Sequence, residues 1–239
     1  IKYMKNSFVW ILVVIVIFVG FIGVAAWYKN KSANGGDVPT LALNASDHKR
    51  GTGPVVVVEY SDFQCPACRN FAPIVEQLIA KRGADITFVY RHFPLAQHFN
   101  AYPAAQAAEA SGVQGKFYEM GLKLFEKQDE WASLSASKAE EKFKQYAVEL
   151  GLDATKFDAD YNDDSLKARI KNDYKSGINQ KVNATPTFFV GEEKVNLEGV
   201  NSVDDMLKVF DTLIDNAKGA NNSILNSSTT PADTTLPTL

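Results

Sequence analysis

The chain has 239 residues and a formal net charge of -3 at pH 7. Hydrophobic residues make up 46% of it and charged residues 22%. This balance is that of an ordinary folded protein, so it excludes a wholly disordered or fibrous chain. The slight acidic excess argues against nucleic acid as a partner. The length suits one or two domains.

The apolar residues are concentrated near the N-terminus, where residues 8–27 contain no charge after a short flank at 1–7. A helix of about 20 residues spans roughly 30 Å, the thickness of the hydrocarbon core. We therefore predict a membrane-spanning segment at 8–27. Small residues at 24–26 leave a cleaved signal peptide as the alternative. The length of the run favours a retained signal anchor, while lysines on both sides leave its orientation open.

The residues after this run divide into a tether, one domain and a tail. Residues 28–53 are rich in Lys, Ser, Asn, Gly and Asp, which predicts a tether with a short strand at 41–43. Residues 218–239 are mostly Asn, Ser, Thr and Pro, which predicts disorder because they bury little apolar surface. The folded domain is therefore expected at 54–217.

Hydrophobic spacing within this domain predicts the order β-α-β, a helical block, then β-β-α. The β-branched run at 55–60 predicts a buried strand, a helix with one apolar face follows it, and 86–91 predicts a second strand. Residues 187–190 and 194–197 flank a glycine turn and predict a hairpin. A last helix is expected to begin after Ser202.

The block between the second strand and the hairpin, about 97–183, shows apolar positions at helical spacing. Three stripes predict helices there: Phe117, Met120, Leu124 and Phe125; Phe143, Tyr146, Ala147 and Leu150; and Leu166, Ile170, Tyr174 and Ile178. Each stripe is apolar on one face only, so each helix needs a neighbour. We therefore expect the block to pack over the active-site end of the domain and not to form a separate domain.

Cys65 and Cys68 are the two cysteines of the chain, and they lie where the first strand passes into the helix. Two cysteines at this spacing can reach disulfide distance. At a helix N-terminus, free amides and the helix dipole stabilise a thiolate, which makes Cys65 the predicted nucleophile. Cys68 lies one turn further in and is less accessible, so we predict that it resolves the mixed disulfide.

Half of a zinc site is one alternative interpretation of this pair, and a pair of inert thiols is another. Zinc needs two more ligands, and His48, His92 and His98 have no familiar ligand spacing. We predict no metal and no other cofactor. A His near a redox pair can hold a thiolate, but solvated loop residues are commoner, and we interpret His92 and His98 as such. Trp131 is interpreted as a loop residue without a role.

Residues 63–68, Phe-Gln-Cys-Pro-Ala-Cys, resemble the active site of DsbA-like thiol:disulfide oxidoreductases of the thioredoxin superfamily. Pro73 matches the proline that kinks the following helix in that superfamily. Further similar segments lie at 91–95, 114–117 and 184–190. The resemblance covers about 54–217. It implies an α/β thioredoxin fold with a helical insertion, here preceded by the predicted transmembrane helix.

The resemblance also implies roles for residues outside the cysteine pair. It implies a cis peptide bond before Pro186, and a substrate-binding surface that includes the backbone of Thr185 together with Pro66 and Ala67. It implies that Glu59 is a buried proton acceptor for the second cysteine, with a raised pKa. The residues alone also allow a trans proline that opens a strand, and a carboxyl on the exposed face of an edge strand.

The leading hypothesis is a single-pass protein of the cell membrane whose catalytic domain lies on the extracytoplasmic side. It would donate its Cys65–Cys68 disulfide to reduced cysteines of exported proteins and be reoxidised by a membrane or small-molecule redox partner. If residues 8–27 are cleaved, the domain is secreted. A reductase or isomerase would use the same residues, and a redox-inactive peptide-binding module is the alternative of another class. Ala67 leaves the redox direction open, because the best-known oxidants of the family carry His between the cysteines.

Overall fold

The computed structural model describes residues 41–200 and 202–228. The predicted flank at 1–7, the predicted membrane span at 8–27, and residues 229–239 of the predicted tail lie outside the described residues. Within the described ranges, no helix combines the length and the apolar character that a membrane crossing requires.

A five-stranded mixed sheet forms the centre of the domain, in the order β1-β3-β2-β4-β5. Strands β2 and β3 are parallel, and the other neighbouring pairs are antiparallel. Both central strands are covered on their two faces, which explains why they are nearly continuous apolar runs in the sequence. The strands are β1 His48–Arg50, β2 Val55–Ser61, β3 Ile86–His92, β4 Thr187–Val190 and β5 Glu193–Lys194.

Eight helices of the described residues surround this sheet, and six of them lie between β3 and β4. They are α1 Pro66–Arg82, α2 Ala101–Val113, α3 Phe117–Glu126, α4 Gln128–Trp131, α5 Ala136–Glu149, α6 Ala154–Tyr161, α7 Asp164–Asn179 and α8 Val203–Ser228. This order confirms the predicted α/β fold with a helical insertion. The predicted bounds of the insertion, 97–183, enclose all six helices from α2 to α7.

The structure corrects both predicted ends of the domain. Residues 48–50, predicted as tether, form an edge strand that pairs with β3, whereas 41–43 form no strand. At the other end, α8 continues to Ser228. The prediction of a disordered tail that begins at residue 218 is therefore wrong for residues 218–228. The edge strand at 48–50 has three residues, too few to show the alternation of a strand in the sequence. The helix is held past its apolar stripe by an ion pair from Lys218 to Asp85.

Helix α7 is rotated relative to the predicted stripe. Tyr174 and Ile178 were expected inward, but both are exposed, and Asp173 and Gly177 are buried instead. The helix approaches the sheet so closely that a side chain at Gly177 would meet the Phe93 ring at 2.5 Å. Close backbone packing and polar partners therefore decide which face of α7 is buried. The spacing of apolar residues in the sequence reveals neither of these two factors.

Trp131 is a core residue at the end of a helix, so its prediction as a loop residue is wrong. It ends the short helix α4, is fully buried, and donates Nε1–H to the Leu124 carbonyl at 2.9 Å. Its ring meets Phe143 edge to face at 5.2 Å between centroids. One continuous core contains these side chains together with those of the sheet and α1, which agrees with an insertion that packs onto the sheet domain.

We expect Phe143→Ala to lower the free energy of unfolding by about 3–5 kcal/mol, because it removes a fully buried ring and leaves a cavity. Val148→Ala is the matched control, since Val148 is an exposed residue of the same helix and should cost less than about 0.5 kcal/mol. Urea unfolding followed by circular dichroism measures both. Equal effects of the two substitutions would show that α5 does not contribute to the core as described.

Candidate active site

Cys65 occupies the N-cap of α1, directly after the turn that leaves β2. Its backbone is extended, with φ -73° and ψ 122°, and Pro66 follows at the first helical position. Proline suits this position because its missing N–H has no intrahelical partner to lose. The Cys65 amide donates to the Asp62 carbonyl at 3.0 Å, so the turn is closed just before the helix starts. Both cysteines are free thiols, the reduced form of the pair.

The surroundings of the Cys65 sulfur favour its thiolate. A hydrogen bond from the Cys68 thiol is the largest contribution, and the Thr185 side chain and the amides of Ala67 and Cys68 add to it. Against the opposing effect of burial, these donors lower the pKa of Cys65 from 9.0 to about 5. While protonated, the thiol donates to the Thr185 carbonyl at 3.4 Å.

The surroundings of the Cys68 sulfur disfavour its thiolate. It is fully buried, and burial, the Cys65 sulfur and the Glu59 carboxyl all raise the pKa of its thiol. At neutral pH it therefore keeps its proton until a nearby base accepts it. The two thiols differ in the sense that the sequence predicted, with a reactive first cysteine and a protected second one.

Glu59 lies on β2, beneath the cysteine pair, and it is 4% exposed. It is opposite Tyr90 of β3 on one side and Phe188 of β4 on the other, so it does not face solvent from an edge strand. Burial is the main cause that raises the pKa of Glu59 to about 7, with the Cys65 charge adding to the effect. Such a carboxyl can accept and return a proton near neutral pH.

The loop before β4 completes the site. The Thr185–Pro186 peptide bond is cis, so the alternative of a trans proline does not apply here. Thr185 is buried against Cys65, while Pro66 and Ala67 are exposed. The structure therefore brings together in space the residues that the resemblance assigned to one site, although 120 positions separate Cys65 from Thr185.

Asp62 is a site residue that the sequence analysis missed. Its carboxylate accepts hydrogen bonds from the Gln64 amide at 2.7 Å, the Leu95 amide at 2.9 Å and His98 Nδ1 at 2.7 Å. His98 is therefore a hydrogen-bond partner of a buried carboxyl group, and its interpretation as a solvated loop residue is wrong. A turn closed by Asp two residues before an amide is a known local signal, and it was available at this position.

The helical insertion reaches the catalytic turn through Gln128. This buried side chain donates from Nε2 to the Phe63 carbonyl at 2.8 Å and to the Cys65 carbonyl at 3.1 Å. Gln64 in turn donates to the Ala132 carbonyl at 2.7 Å. These contacts place the insertion against the active-site turn, and a single glutamine far along the chain offers no sequence signal for them.

Phe99 is the most exposed large apolar side chain among the described residues, at 85%. Its loop is fixed to the catalytic turn on both sides, because His98 binds Asp62 and the Asn100 amide donates to Gln64 Oε1 at 2.7 Å. An aromatic ring is therefore presented to solvent on a loop anchored one residue before Cys65.

His92, the other histidine interpreted as solvated, is buried at the end of β3. Its Nε2 lies 2.7 Å from Glu109 Oε1, and burial lowers the pKa of His92 well below its usual range. His48 Nε2 lies 3.1 Å from the same carboxylate oxygen. In the part of the chain that the structure describes, no group of three or more acidic, His or Cys side chains could hold a metal ion.

This fold and this pair of unequal thiols define a thioredoxin-like protein with a Cys-x-x-Cys redox site. The family described as thioredoxin matches residues 50–212, and the chain belongs to that family. The resemblance seen in the sequence is confirmed by this match and by solved DsbA structures with the same fold.

Two solved structures illustrate the relationship. A thioredoxin-like oxidoreductase from Silicibacter pomeroyi is 26% identical, with 71% of this chain and 92% of that chain covered at a TM-score of 0.58. The alpha-DsbA1 protein of Wolbachia pipientis is 22% identical, with 77% and 97% covered at a TM-score of 0.63, which shows the shared fold.

The curated relatives are longer proteins. A Na(+)/H(+) antiporter NhaA 1 from Mycolicibacterium vanbaalenii is 40% identical over 151 residues, which are 60% of this chain and 23% of the antiporter. A second antiporter of that name, from Salinispora arenicola, is 40% identical over 147 residues, 21% of its length. The chain therefore spans less than a quarter of each of these relatives.

We expect the alkylation rate of Cys65 by iodoacetamide to rise with pH around a midpoint near 5, because its thiolate is stabilised as described. In Cys68→Ala the midpoint should move upward, since the Cys68 thiol is the largest contributor to that stabilisation. Mass spectrometry of quenched samples gives the rates. A midpoint of about 8–9 in the unsubstituted protein, the value of an ordinary thiol, would contradict this description of the site.

Proposed function

We propose that this chain is an extracytoplasmic thiol:disulfide oxidoreductase that donates its Cys65–Cys68 disulfide to reduced cysteines of exported proteins. The observation that carries the proposal is the inequality of the two thiols, with a stabilised thiolate at Cys65 and a buried, protonated Cys68. Membership of the thioredoxin family supports thiol–disulfide exchange as the chemistry.

In the proposed reaction, a substrate thiolate attacks Cys65 Sγ in the oxidised protein. The Cys65–Cys68 bond breaks, and Cys68 leaves and takes up a proton, for which Glu59 is the buried donor. A second substrate thiolate then attacks the substrate sulfur of the mixed disulfide. The substrate leaves with its new disulfide, and Cys65 leaves as a thiolate. Two electrons pass from the substrate to the cysteine pair.

The stabilised thiolate supports donation over reduction. The thiolate belongs to the reduced form, so stabilising it makes the disulfide a stronger oxidant. With the pKa of Cys65 lowered to about 5, the reduced form gains on the order of 2 kcal/mol at pH 7 after allowance for solvent screening. That corresponds to roughly 40 mV for a two-electron couple. Ala67 contributes no charge, so a moderate oxidant is expected.

Substrate recognition is proposed at the face that contains Cys65, Thr185 and Phe99. The Thr185 backbone lies beside the sulfur, where an extended substrate segment can pair with it. The exposed ring of Phe99, on its anchored loop, offers an apolar contact for the same segment. Extracytoplasmic location through residues 8–27, exported substrates, and reoxidation by a membrane or small-molecule partner belong to this proposal.

A reductase or isomerase would use the same residues, and its distinguishing property is a pair that is more stable as the disulfide. A redox-inactive peptide-binding module is disfavoured by the lowered pKa of Cys65, because peptide binding alone does not require a stabilised thiolate.

We expect Cys65→Ser to abolish oxidation of a reduced dithiol peptide, because it removes the sulfur that the substrate attacks. Cys68→Ser has no disulfide to donate to the reduced peptide, but mixed with the disulfide form of that peptide it should accumulate mixed disulfides at Cys65, because the attack breaks the peptide disulfide and the buried resolving thiol is lost. Non-reducing electrophoresis and mass spectrometry distinguish the two results. Full turnover by Cys68→Ala would show that the resolving role is wrongly assigned.

We expect the reduced protein to melt above the oxidised protein at pH 7, by roughly 4–8 °C for about 2 kcal/mol. The folded pKa of Cys65 lies below its ordinary value of 9.0, so the extra stability is complete above pH 9 and is lost as pH falls through about 5. The difference between the two melting temperatures should therefore grow as the pH rises from about 5 to 9.0. Calorimetry of both forms across this range measures it, and a higher melting temperature for the oxidised form would favour the reductase.

A further inference from the structure

Two hydroxyls beneath the cysteine pair are buried without a hydrogen-bond partner among the described residues. They are Ser61 Oγ and the hydroxyl of Tyr90, whose residues are 1% and 4% exposed. Leaving a buried hydroxyl unpaired is destabilising, so such groups are rare and call for an explanation. Neither residue has a role in the exchange chemistry described so far.

Both hydroxyls belong to the face of the sheet that carries Glu59. Ser61 follows Glu59 by two positions on β2, so the two side chains point to the same face. Tyr90 is the register partner of Glu59 on the parallel strand β3. Cys68 packs onto this face from α1. Glu59 raises the pKa of Cys68 through its charge, and Glu59 and Cys68 both raise the pKa of Tyr90, so these groups lie close together on this face.

The opposite face of the same strand shows that the lack of partners is local. Tyr60, between Glu59 and Ser61, directs its hydroxyl to Ser176 Oγ at 2.6 Å. Arg91 Nη1 also donates to that hydroxyl at 3.4 Å. The fold thus pairs a buried tyrosine on one face and leaves two hydroxyls uncommitted on the face where protons must move.

We propose that Ser61 relays the proton between Cys68 and Glu59, and that Tyr90 positions the Ser61 hydroxyl and the Glu59 carboxyl for this transfer. The proposal rests on the thiol–disulfide exchange proposed above. Ser61 is then a proton-transferring residue and Tyr90 a positioning residue. A hydroxyl suits the relay because it accepts a proton at one lone pair while it gives up its own.

The step can be written for the direction in which Cys68 resolves a mixed disulfide at Cys65. The Cys68 thiol passes its proton to Ser61 Oγ, and Ser61 passes its own hydroxyl proton to the Glu59 carboxylate. The Cys68 sulfur bonds to the Cys65 sulfur, and the bond from Cys65 to the bound thiol breaks. That thiol leaves as a thiolate, so charge and protons balance. Disulfide donation uses the same path in reverse.

Several other titratable groups face this cluster and belong in any pH analysis of it. Cys65 acts on Glu59 through its charge, and Asp62 acts on Tyr90. Glu76 of α1 and Tyr118 of α3 line, together with Glu59 and Tyr90, a cavity of about 30 Å³. None of them is invoked as the proton carrier.

The two steps can be separated with the reduced full chain and the aromatic disulfide dithiobis(nitrobenzoic acid) in a stopped-flow absorbance experiment. Attack by Cys65 releases the first nitrothiobenzoate, and attack by Cys68 on the mixed disulfide releases the second. We expect Ser61→Ala to slow the second release about tenfold or more and to leave the first within about twofold. Ser61→Thr keeps the hydroxyl and should restore the second release to within about threefold.

Tyr90→Phe removes one hydroxyl from an otherwise unchanged ring. It should slow the second release less than Ser61→Ala does and move the pH midpoint of that release upward, because a donor near the Glu59 carboxylate is lost. Tyr60→Phe is the matched control. It removes a buried hydroxyl from the other face of the same strand and should leave both releases and the midpoint unchanged.

The relay is overturned if Ser61→Ala and Tyr90→Phe both keep the second-release rate and the pH midpoint of the unsubstituted protein. If Ser61→Ala does not fold, the other two variants test the relay. An unshifted pH midpoint in Tyr90→Phe counts against the relay, and so does a second release slowed tenfold in Ser61→Thr. Failure of the thiol–disulfide exchange on which the relay rests gives a different result, since the unsubstituted protein would then release only one equivalent or none.

Discussion

The turn between β2 and α1 is the constraint on which the site depends. It must deliver Cys65 to the N-cap of a helix, with the sulfur among amide and thiol donors. Asp62 holds this turn from inside by accepting three hydrogen bonds, two of them from the loop at 95–98. Gln128 holds it from the insertion. Contacts from several elements thus fix the position of the Cys65 thiolate. The stabilisation of the thiolate follows from that position.

The two faces of β2 serve different purposes. On one face, Tyr60 takes part in a buried polar network with Ser176 and Arg91, which ties α7 to the sheet. On the other face, Glu59 and Ser61 lie under the thiols in a core that is otherwise apolar. Burial there keeps Cys68 protonated until disulfide formation draws on its sulfur, and it raises the pKa of Glu59 to about 7, so that this carboxyl can take up a proton near neutral pH. Low polarity and unpaired hydroxyls are what make this face reactive.

Individual site residues differ in how far sequence reasoning could reach them. Cys65 and Cys68 follow from spacing at a strand-to-helix junction, and Glu59 from an acid within an apolar strand. Thr185 could be assigned only through the family resemblance, because no local pattern links a loop residue to a sulfur 120 positions away. Ser61 carries no sequence signal, since a serine at the end of a strand is common and its missing partner appears only in three dimensions.

The sequence by itself determined the class of each main element, the insertion and the cysteine chemistry, because these depend on period and on neighbours within one helical turn. The tertiary structure decided which polar groups are buried and with which partners. His92 was expected in solvent, yet it is enclosed against Glu109. Helix α7 turns Asp173, and not Tyr174, toward the sheet. Such outcomes depend on contacts between residues far apart in the chain, whose free energies outweigh the local preferences that a sequence displays.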